Sequence, residues 1–237
     1  MGPLATAEFL GRVVLMTPGR EDQAHIPLIV YNNPQIPDRT AAILRGGESP
    51  VPALVASARL LEEAGAEFIA IPCVTAHCFF DELQDRIGVE ILHLIREMHS
   101  EVVRAYPGVR RVGLLATTGT ISTRLVQAHF DNAGYDVLTP SESIQQGCVM
   151  EAIYGKRGIK VIGPRGGARR ALRSAAAHLV QRGAQVILLG CTEIPVALAG
   201  ARLPVPMVDS LDVLARAVVR EACGKTPPEQ DPARCPS

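Results

Sequence analysis

The stretch AQVILLGC, residues 184–191, decides the fold class of this chain of 237 residues. Its four consecutive aliphatic residues follow a glycine that can end a helix, and a glycine and a cysteine follow them. A short, wholly apolar run of this kind is typical of a strand buried on both faces of a parallel sheet. The stretch AEFIAIPC, residues 66–73, also follows a glycine and also ends in a cysteine. This weak internal repeat predicts two matched strands that face each other across a cleft.

Short apolar runs alternate with longer segments of helical period along the chain, which is the pattern of β-α units that build a parallel sheet. The glycines Gly65, Gly134 and Gly183 each stand where a helix is expected to stop. Predicted strands cover residues 27–31, 68–72, 112–116, 136–138, 186–190 and 206–208. Predicted helices cover residues 52–64, 79–105, 122–133, 168–182 and 210–221. The fold class is therefore α/β.

The second half of the chain looks like a new doubly wound unit, because the run at residues 112–116 resembles the first strand of one. We expect two pseudo-symmetric lobes, each a mostly parallel sheet flanked by helices, with the functional site in the cleft between them. The first lobe is expected to cover residues 1–108, joined by the helix around residues 209–223, and the second to cover residues 109–208. Residues 224–237 are rich in proline and polar residues and are expected to be a disordered tail.

The charge balance and the hydropathy exclude several classes of function. Lys plus Arg and Asp plus Glu number 24 each, and no run of like charge is long enough to bind nucleic acid or a membrane surface. The longest apolar runs are far shorter than a membrane span, and Met1-Gly2-Pro3 does not open a signal peptide. We therefore expect a cytoplasmic protein with no nucleic-acid and no membrane partner.

The six cysteines lack the density of a secreted disulfide scaffold and the spacing of a paired C-x-x-C metal site, so most should be free thiols. Cys73 and Cys191 stand out because each follows a predicted strand at its carboxyl end, where open parallel sheets bind ligands. Each also precedes a turn or helix start whose free N–H groups favour a thiolate. Position alone leaves open whether they are functional or are buried thiols that cap strands.

A pair of cysteines suits one particular chemistry. Inversion at the α-carbon of an amino acid needs a base on one face and an acid on the other, and one thiolate plus one thiol supply both. The charge that develops on the substrate carboxylate needs hydrogen-bond donors, and no metal is required. Candidate donors are the hydroxyls of Thr75, Thr117, Thr118, Thr120 and Thr192.

Two basic residues and one histidine are further candidates. Arg39 or Lys160 could pair with an acidic substrate, although a lone basic residue in a loop is more often a solvated surface charge. His77, with Cys73 and Cys78, could suggest a metal cluster, but one short cluster supplies too few well-spaced ligands, and we expect no metal. His77 is expected either to lower the pKa of Cys73 or to pack beneath it.

Six motifs in order resemble the aspartate/glutamate racemase superfamily, and in particular its aspartate racemase branch. They span nearly the whole chain. The motifs are Met1-Gly2-Pro3-Leu4-Ala5-Thr6, Tyr31-Asn32-Asn33-Pro34 through Asp38-Arg39, Pro72-Cys73 through Thr75-Ala76-His77, Gly113-Leu114-Leu115-Ala116-Thr117 with Gly119-Thr120, Ala152-Ile153-Tyr154-Gly155 with Gly158-Ile159-Lys160, and Gly190-Cys191-Thr192-Glu193.

The resemblance implies a racemase of aspartate or glutamate that uses no pyridoxal phosphate or other cofactor and is commonly a homodimer. It implies that Cys73 and Cys191 act as the paired acid and base, and that Arg39 and Lys160 bind the side-chain carboxylate of the substrate. The residues it assigns to substrate binding are Met1, Arg39, Thr75, Thr117, Thr120, Lys160, Thr192 and Glu193.

The chain departs from the family pattern in two places. Val74 stands where the first cysteine motif usually carries an asparagine that contacts the substrate, so a hydrogen-bonding amide is lost. This keeps open a racemase of a different amino acid, or a related isomerase or decarboxylase on the same fold. Family members also carry a first strand that runs into the Met1 motif, and this sequence starts at that methionine, so either the start is misassigned or the first lobe lacks one strand. The alternative of a different class is a non-catalytic binding protein with two lobes around a cleft.

Overall fold

The computed structural model describes residues 1–224. In this range six short strands, all parallel to their neighbours, form two sheets. The first sheet pairs β1 (Phe68–Ala70) with β2 (Glu90–Leu92). The second has the order β4-β3-β5-β6 and consists of β3 (Arg111–Ala116), β4 (Asp136–Leu138), β5 (Val186–Gly190) and β6 (Met207–Asp209).

Helices connect the strands and cover the sheets. Within residues 1–224 they are α1 (Pro3–Met16), α2 (Arg39–Arg45), α3 (Val51–Glu63), α4 (Phe80–Gln84), α5 (Leu94–Ala105), α6 (Thr118–Ser122), α7 (Leu125–Asp131), α8 (Glu142–Ile144), α9 (Glu151–Tyr154), α10 (Ile159–Ile162), α11 (Ala168–Gln181), α12 (Glu193–Leu198) and α13 (Ser210–Cys223). Short 3-10 turns span Asp22–Ala24 and Val74–Phe79, and a π turn spans Gln145–Met150. None of these helices is long and apolar enough to cross a membrane.

The second sheet is buried on both faces, and its apolar side chains alternate between two cores. Leu114 and Leu188 point into the core covered by α5 and α13. Leu115 and Ile187 point to the other face, against α11. Burying one such side chain stabilises the fold by about 1.5–3 kcal/mol. This two-sided burial explains why β5 is an unbroken apolar run in the sequence.

A third core lies around the first sheet, where Ile69 and Ile91 pack with side chains from α3 and α4. The helix α13 packs along α1 and α5. Arg12 on α1 ties this packing to the end of β6 through ion pairs with Asp209 (2.6 Å) and Asp212 (2.7 Å). The domain boundaries stay a prediction, and residues 225–237 of the expected tail lie outside the described residues.

The predicted α/β fold class is confirmed. The strands predicted at residues 136–138 and 186–190 have the predicted bounds, and the bounds of those predicted near residues 68, 112 and 206 differ by one or two residues. Gly65, Gly134 and Gly183 follow helices with φ of +91°, +83° and +96°, a conformation that glycine tolerates best. The long α1 is an element that the periodicity did not predict, although Pro3 at its first turn is a helix-start signal.

Two predicted elements are wrong. Residues 27–31 form no strand; their backbone pairs with no other described strand, and the apolar side chains at 28–31 are 40–50% exposed. The helix predicted over residues 79–105 is interrupted by β2. Gln84 is the last residue of α4. Its side-chain Nε2 donates to the Val89 carbonyl (2.9 Å) and its Oε1 accepts from the Ile91 amide (2.8 Å), and these two hydrogen bonds hold the chain extended around Glu90.

Candidate active site

The carboxyl ends of β1, β3 and β5 meet at one pocket, which encloses about 260 Å³ with its opening to solvent included. Strand ends of parallel sheets gather side chains from distant parts of the chain in this way. The pocket is lined by Arg39, Cys73, Val74, Thr75, Thr117, Tyr154, Lys160, Cys191, Thr192 and Glu193. The structure therefore brings together both predicted thiols and most of the residues that the sequence assigned to substrate binding.

The two thiols reach the pocket from different sheets. Cys73 follows β1 and is partly exposed, whereas Cys191 directly follows β5 and is only 4% exposed. All five cysteines within residues 1–224 are free thiols. Each of the two pocket cysteines is followed by a helical start, at Val74–Phe79 and at α12.

Arg39 places a buried cation beside Cys73. The Asp38 carboxylate accepts a hydrogen bond from the Ala41 amide (2.7 Å) and so caps α2, whose first residue is Arg39. The guanidinium donates through Nη1 to the carbonyls of Ile36 (3.1 Å) and Pro37 (2.9 Å). Its Nε is buried and has no hydrogen-bond partner among the described residues. Burial opposes the charge, but the nearby Cys73 and Asp38 prevail and raise the pKa of Arg39.

Cys191 belongs to a chain of three polar groups. Its Sγ donates to Glu193 Oε2 at 3.0 Å, and Glu193 Oε1 pairs with Lys160 Nζ at 2.9 Å. Burial, together with the Glu193 charge, raises the pKa of Cys191 well above its ordinary value. Burial alone would raise the pKa of Glu193 too, but the Lys160 ammonium and the donated S–H outweigh it and lower that pKa. Cys191 is therefore a thiol next to a carboxylate.

Three buried threonine hydroxyls form a triangle beside the pocket cysteines. Thr75 Oγ1 lies 3.1 Å from Thr117 Oγ1 and 2.9 Å from Thr120 Oγ1, and the last two are 3.2 Å apart. All three residues are at most 5% exposed. Thr75 and Thr117 line the pocket, while Thr120 stands behind them and fixes their orientation.

Thr192 ties the two cysteine segments together, since its hydroxyl donates to the Pro72 carbonyl at 3.0 Å. This bond is buried and joins residues on either side of the pocket. Val74 also lines the pocket and is 1% exposed. Its apolar side chain therefore stands where the family motif would place an amide.

Tyr154 is a pocket residue that sequence reasoning did not assign to the site. Its hydroxyl donates to Asp38 Oδ2 (3.0 Å) and lies 3.3 Å from Thr40 Oγ1, and Lys160 Nζ stands 5.2 Å from its ring centroid. Burial raises the pKa of its phenol. The signal that could have found it is its place in the Ala152–Gly155 motif, at the end of α9 and one short loop before the helix that carries Lys160.

His77 contacts the main chain around Cys73. Its Nδ1 lies 2.9 Å from the Cys73 carbonyl, and its Nε2 accepts a hydrogen bond from the Leu94 amide at 3.1 Å. The ring must therefore be neutral with its proton on Nδ1, and burial lowers its pKa in agreement. Both ring nitrogens are occupied, so His77 positions the Cys73 turn.

Met1 is one of three predicted site residues that do not line the pocket, together with Thr118 and Thr120. It packs, partly buried, in the same apolar cluster as Cys73 and Ile71, and its amino group donates to the Asn33 carbonyl at 3.0 Å. It thus lies beside the site on the side of the first sheet.

The fold and the pocket define a class: an α/β protein whose parallel strands from two sheets deliver two free thiols into one polar pocket with two cations. The chain belongs to the Asp/Glu/hydantoin racemase family, whose model matches residues 1–218. It is an isomerase of the racemase class.

Individual relatives agree with this assignment. The chain is 25% identical over 228 residues to a broad-specificity amino-acid racemase of Bacillus subtilis, covering 92% of this chain and 93% of that one. The solved aspartate racemase of Picrophilus torridus superposes with a TM-score of 0.79 at 28% identity, covering 94% of this chain and 90% of that one. An aspartate racemase homologue from Pyrococcus horikoshii, at 23% identity and TM-score 0.72 over 93% and 95% of the two chains, shares the fold. The resemblance predicted from the motifs is confirmed.

Proposed function

We propose that this protein is a cofactor-independent racemase of an acidic amino acid, aspartate or glutamate, in which Cys73 and Cys191 act on opposite faces of the α-carbon. One observation carries the proposal: two free thiols from different sheets line one small pocket that also holds Arg39 and Lys160. Two thiols alone would suit many sites. Two thiols with two cations, the buried Arg39 and the partly exposed Lys160, suit a substrate that carries two carboxylates.

The polar groups divide naturally between the substrate carboxylates. In this proposal Arg39, whose Nε has no hydrogen-bond partner among the described residues, and the ammonium of Lys160 bind the side-chain carboxylate, since charge-assisted hydrogen bonds are the strong ones. The hydroxyls of Thr75 and Thr117 suit the α-carboxylate, which gains charge when the α-proton leaves. Because the hydroxyls are fixed by each other and by Thr120, little reorganisation is needed as that charge develops.

The two thiols differ in their starting roles. Cys191 rests as a thiol and serves as the acid, because its pKa is raised by burial and by Glu193. Cys73 serves as the base in the same turnover, with the Arg39 guanidinium as counter-charge to its thiolate. Removal of the α-proton by Cys73 and delivery of a proton from Cys191 invert the configuration. The opposite enantiomer reacts with the roles exchanged.

Racemisation in D₂O tests the proposal, because every turnover places solvent deuterium at the α-carbon. We expect L- and D-aspartate or L- and D-glutamate to interconvert with α-deuterium, followed by ¹H NMR and chiral chromatography. A panel of neutral amino acids and of dicarboxylates without an amine serves as the comparison. Absence of α-exchange with all four acidic substrates would contradict the proposal, and loss of CO₂ would point to a decarboxylase.

Val74 supports a second candidate, a racemase that prefers a neutral amino acid. Its buried apolar side chain lines the pocket in place of an amide, and a relative bears the name of a broad-specificity enzyme. Val74→Asn restores the amide. If the substrate is acidic, we expect this variant to lower KM for aspartate or glutamate; if it is neutral, activity on the neutral substrate should fall instead. The homodimer and the cytoplasmic location expected from the sequence stay predictions.

A further inference from the structure

We propose that Glu193 is the proton acceptor of Cys191 and acts through that thiol rather than on the substrate. This inference rests on the proposed function, and it replaces the substrate-binding role that the sequence assigned to Glu193. Glu193 is a positioning residue in this sense: it holds the proton of the reacting sulfur.

The contacts of the carboxylate carry the inference. Oε2 accepts the S–H of Cys191 at 3.0 Å, and Oε1 is paired with Lys160 at 2.9 Å. Glu193 is 6% exposed and stands at the start of α12, two residues after Cys191. Each carboxylate oxygen is thus held by a group of the chain, and a substrate ammonium would have to displace one of them.

The burial of Cys191 makes such an acceptor necessary. When Cys191 has to act as the base, its thiol must first lose a proton, and the sulfur belongs to a residue only 4% exposed. A charge formed in such surroundings is costly unless it is compensated. Glu193 can take the proton without any change in the total charge of the pair. The charged neighbour of Cys73 is instead a cation, Arg39, so the two thiols lie in different electrostatic surroundings.

Each proton in this step has a defined origin and destination. The S–H bond of Cys191 breaks, its electron pair stays on sulfur, and the proton forms an O–H bond at Glu193 Oε2. The thiolate then takes the α-proton of the substrate, and the thiol of Cys73 gives its proton to the other face. Glu193 returns its proton to solvent while Cys73 regains one, so the site is restored with no net change.

Lys160 links this step to substrate binding. In the free protein the Lys160 ammonium pairs with Glu193 and keeps its carboxylate ionised. When an acidic substrate binds, its side-chain carboxylate becomes a second anionic partner for Lys160. A side-chain carboxylate that draws Lys160 towards itself removes part of the charge that stabilises ionised Glu193. Glu193 then becomes a stronger base at the moment when Cys191 must be deprotonated.

The decisive test is the pH profile of single-face exchange. In a Cys73→Ala background Cys191 is the remaining pocket thiol, and α-deuterium exchange into one enantiomer of the substrate reports on it alone. With Glu193 present, the proton stays within the pair, so we expect a rate that is flat from pH 7 to pH 8.5, which lies above the pKa of about 6 to which burial lowers the neighbouring Met1 amino group. In Cys73→Ala with Glu193→Gln, the proton must leave to solvent, and the rate should rise about ten-fold per pH unit.

The Cys191→Ala background supplies the matched control, because exchange there reports on Cys73. Glu193→Gln should change the slope of the pH profile on the Cys191 face and not on the Cys73 face. Equal slopes with and without Glu193 on the Cys191 face would overturn the inference. An equal change of slope on both faces would overturn it too, because it would place Glu193 on the substrate.

A second measurement does not depend on racemisation and separates the two proposals. Alkylation of Cys191 by iodoacetamide, followed by mass spectrometry of its peptide, gives the pH at which the thiol ionises in the protein without substrate. Glu193→Gln should lower the midpoint by about one pH unit or more, whereas Glu193→Asp, which keeps the charge, should keep it high. An unchanged midpoint overturns the Cys191–Glu193 coupling even if racemisation is found. A shifted midpoint without any racemisation upholds the coupling and counts against the proposed function.

Discussion

At the scale of single residues, the site contains two cysteines in opposite electrostatic surroundings. Cys73 is partly exposed beside the guanidinium of Arg39, and Cys191 is buried beside the carboxylate of Glu193. A thiolate is favoured near a cation and a thiol near an anion. This asymmetry suits the proposed mechanism, in which one thiol takes a proton from the substrate and the other gives one.

The ion pair between the partly exposed Lys160 and the buried Glu193 leads to a stability prediction. Lys160→Met leaves the Glu193 carboxylate buried without its cation, which should lower the free energy of unfolding by about 2–4 kcal/mol at pH 8. In the wild type the pKa of Glu193 lies below its ordinary 4.5, so the pair stabilises the fold above that pH and is lost as the pH falls further. In the variant burial raises this pKa, so Glu193 takes up a proton on acidification.

Urea unfolding followed by circular dichroism at pH 8 and pH 5 measures the effect of Lys160→Met. The difference from wild type should shrink at pH 5, where the variant no longer buries a charge. The double variant Lys160→Met with Glu193→Gln should recover most of the loss at pH 8, because no unpaired charge remains. A loss that is the same at both pH values would count against a charge-based cause.

The sequence predicted the identity of most pocket residues but not their contacts. Cys73 and Cys191 were indicated by position at strand ends, whereas the reaction and the role of Arg39 came from family resemblance. Tyr154 was missed because its motif supports the family resemblance without indicating which of its side chains points into the pocket. The Cys191–Glu193 bond was also beyond reach, since it depends on side-chain rotamers that the order of residues does not determine.

At the scale of elements, the close packing of β3, β5 and α11 determines the positions of Thr117 and Cys191, which follow these two strands and line the pocket. Gly113 sits at this contact: a Cβ there would lie 2.7 Å from Ile187 Cδ1, 3.0 Å from Ala184 Cβ and 3.1 Å from Leu179 Cβ. A side chain therefore cannot enter without moving the strand or the helix.

Gly113→Ala should overpack this contact and lower the free energy of unfolding by about 1–3 kcal/mol. The matched control is Gly11→Ala, since Gly11 lies inside α1 and a Cβ at this position would meet no atom within 4 Å. That substitution should be stabilising, by about 0.5–1 kcal/mol, because alanine is the better helix former. Thermal unfolding of both variants checks the pair, and equal effects would contradict the packing argument.

The elements that the sequence predicted well are those whose burial is uniform. The strand β5 is buried along its whole length and was predicted at residues 186–190, the same bounds as in the structure. The prediction of one helix over residues 79–105 is wrong because two helices and the short β2 follow one another there with few breaks in the apolar pattern. The strand predicted at residues 27–31 is absent because an apolar, β-branched composition favours a strand only when a neighbouring strand pairs with it.

At the scale of the whole molecule, the pocket joins segments that are far apart in the sequence, from Arg39 to Glu193. A ligand that bridges them should stabilise the entire described fold. The chain has no net formal charge, so the proposed acidic substrate would be attracted by the local placement of Arg39 and Lys160 and not by the charge of the whole protein.

Ligand-induced stabilisation gives a prediction at this scale. In Cys73→Ser, which should bind without turning over, both L- and D-aspartate or both L- and D-glutamate should raise Tm. At a concentration of about 100 Kd the gain is about 2.7 kcal/mol, or roughly 5–10 °C for a chain of this size. Asparagine and glutamine, which lack the second carboxylate, should give much smaller shifts in differential scanning fluorimetry. Equal Tm shifts with asparagine or glutamine would show that Arg39 and Lys160 do not recognise a side-chain carboxylate.

The proposed mechanism depends above all on Cys73 and Cys191 acting on opposite faces of one α-carbon. The most direct test is α-deuterium exchange in the two variants that each lack one of these cysteines. Cys73→Ala and Cys191→Ala should each lose racemisation by at least about 10³-fold. Each should keep slow exchange with only one enantiomer of the acidic substrate, and the two variants should keep opposite enantiomers. Racemisation that survives in either variant, or exchange of the same enantiomer by both, would contradict the two-thiol mechanism.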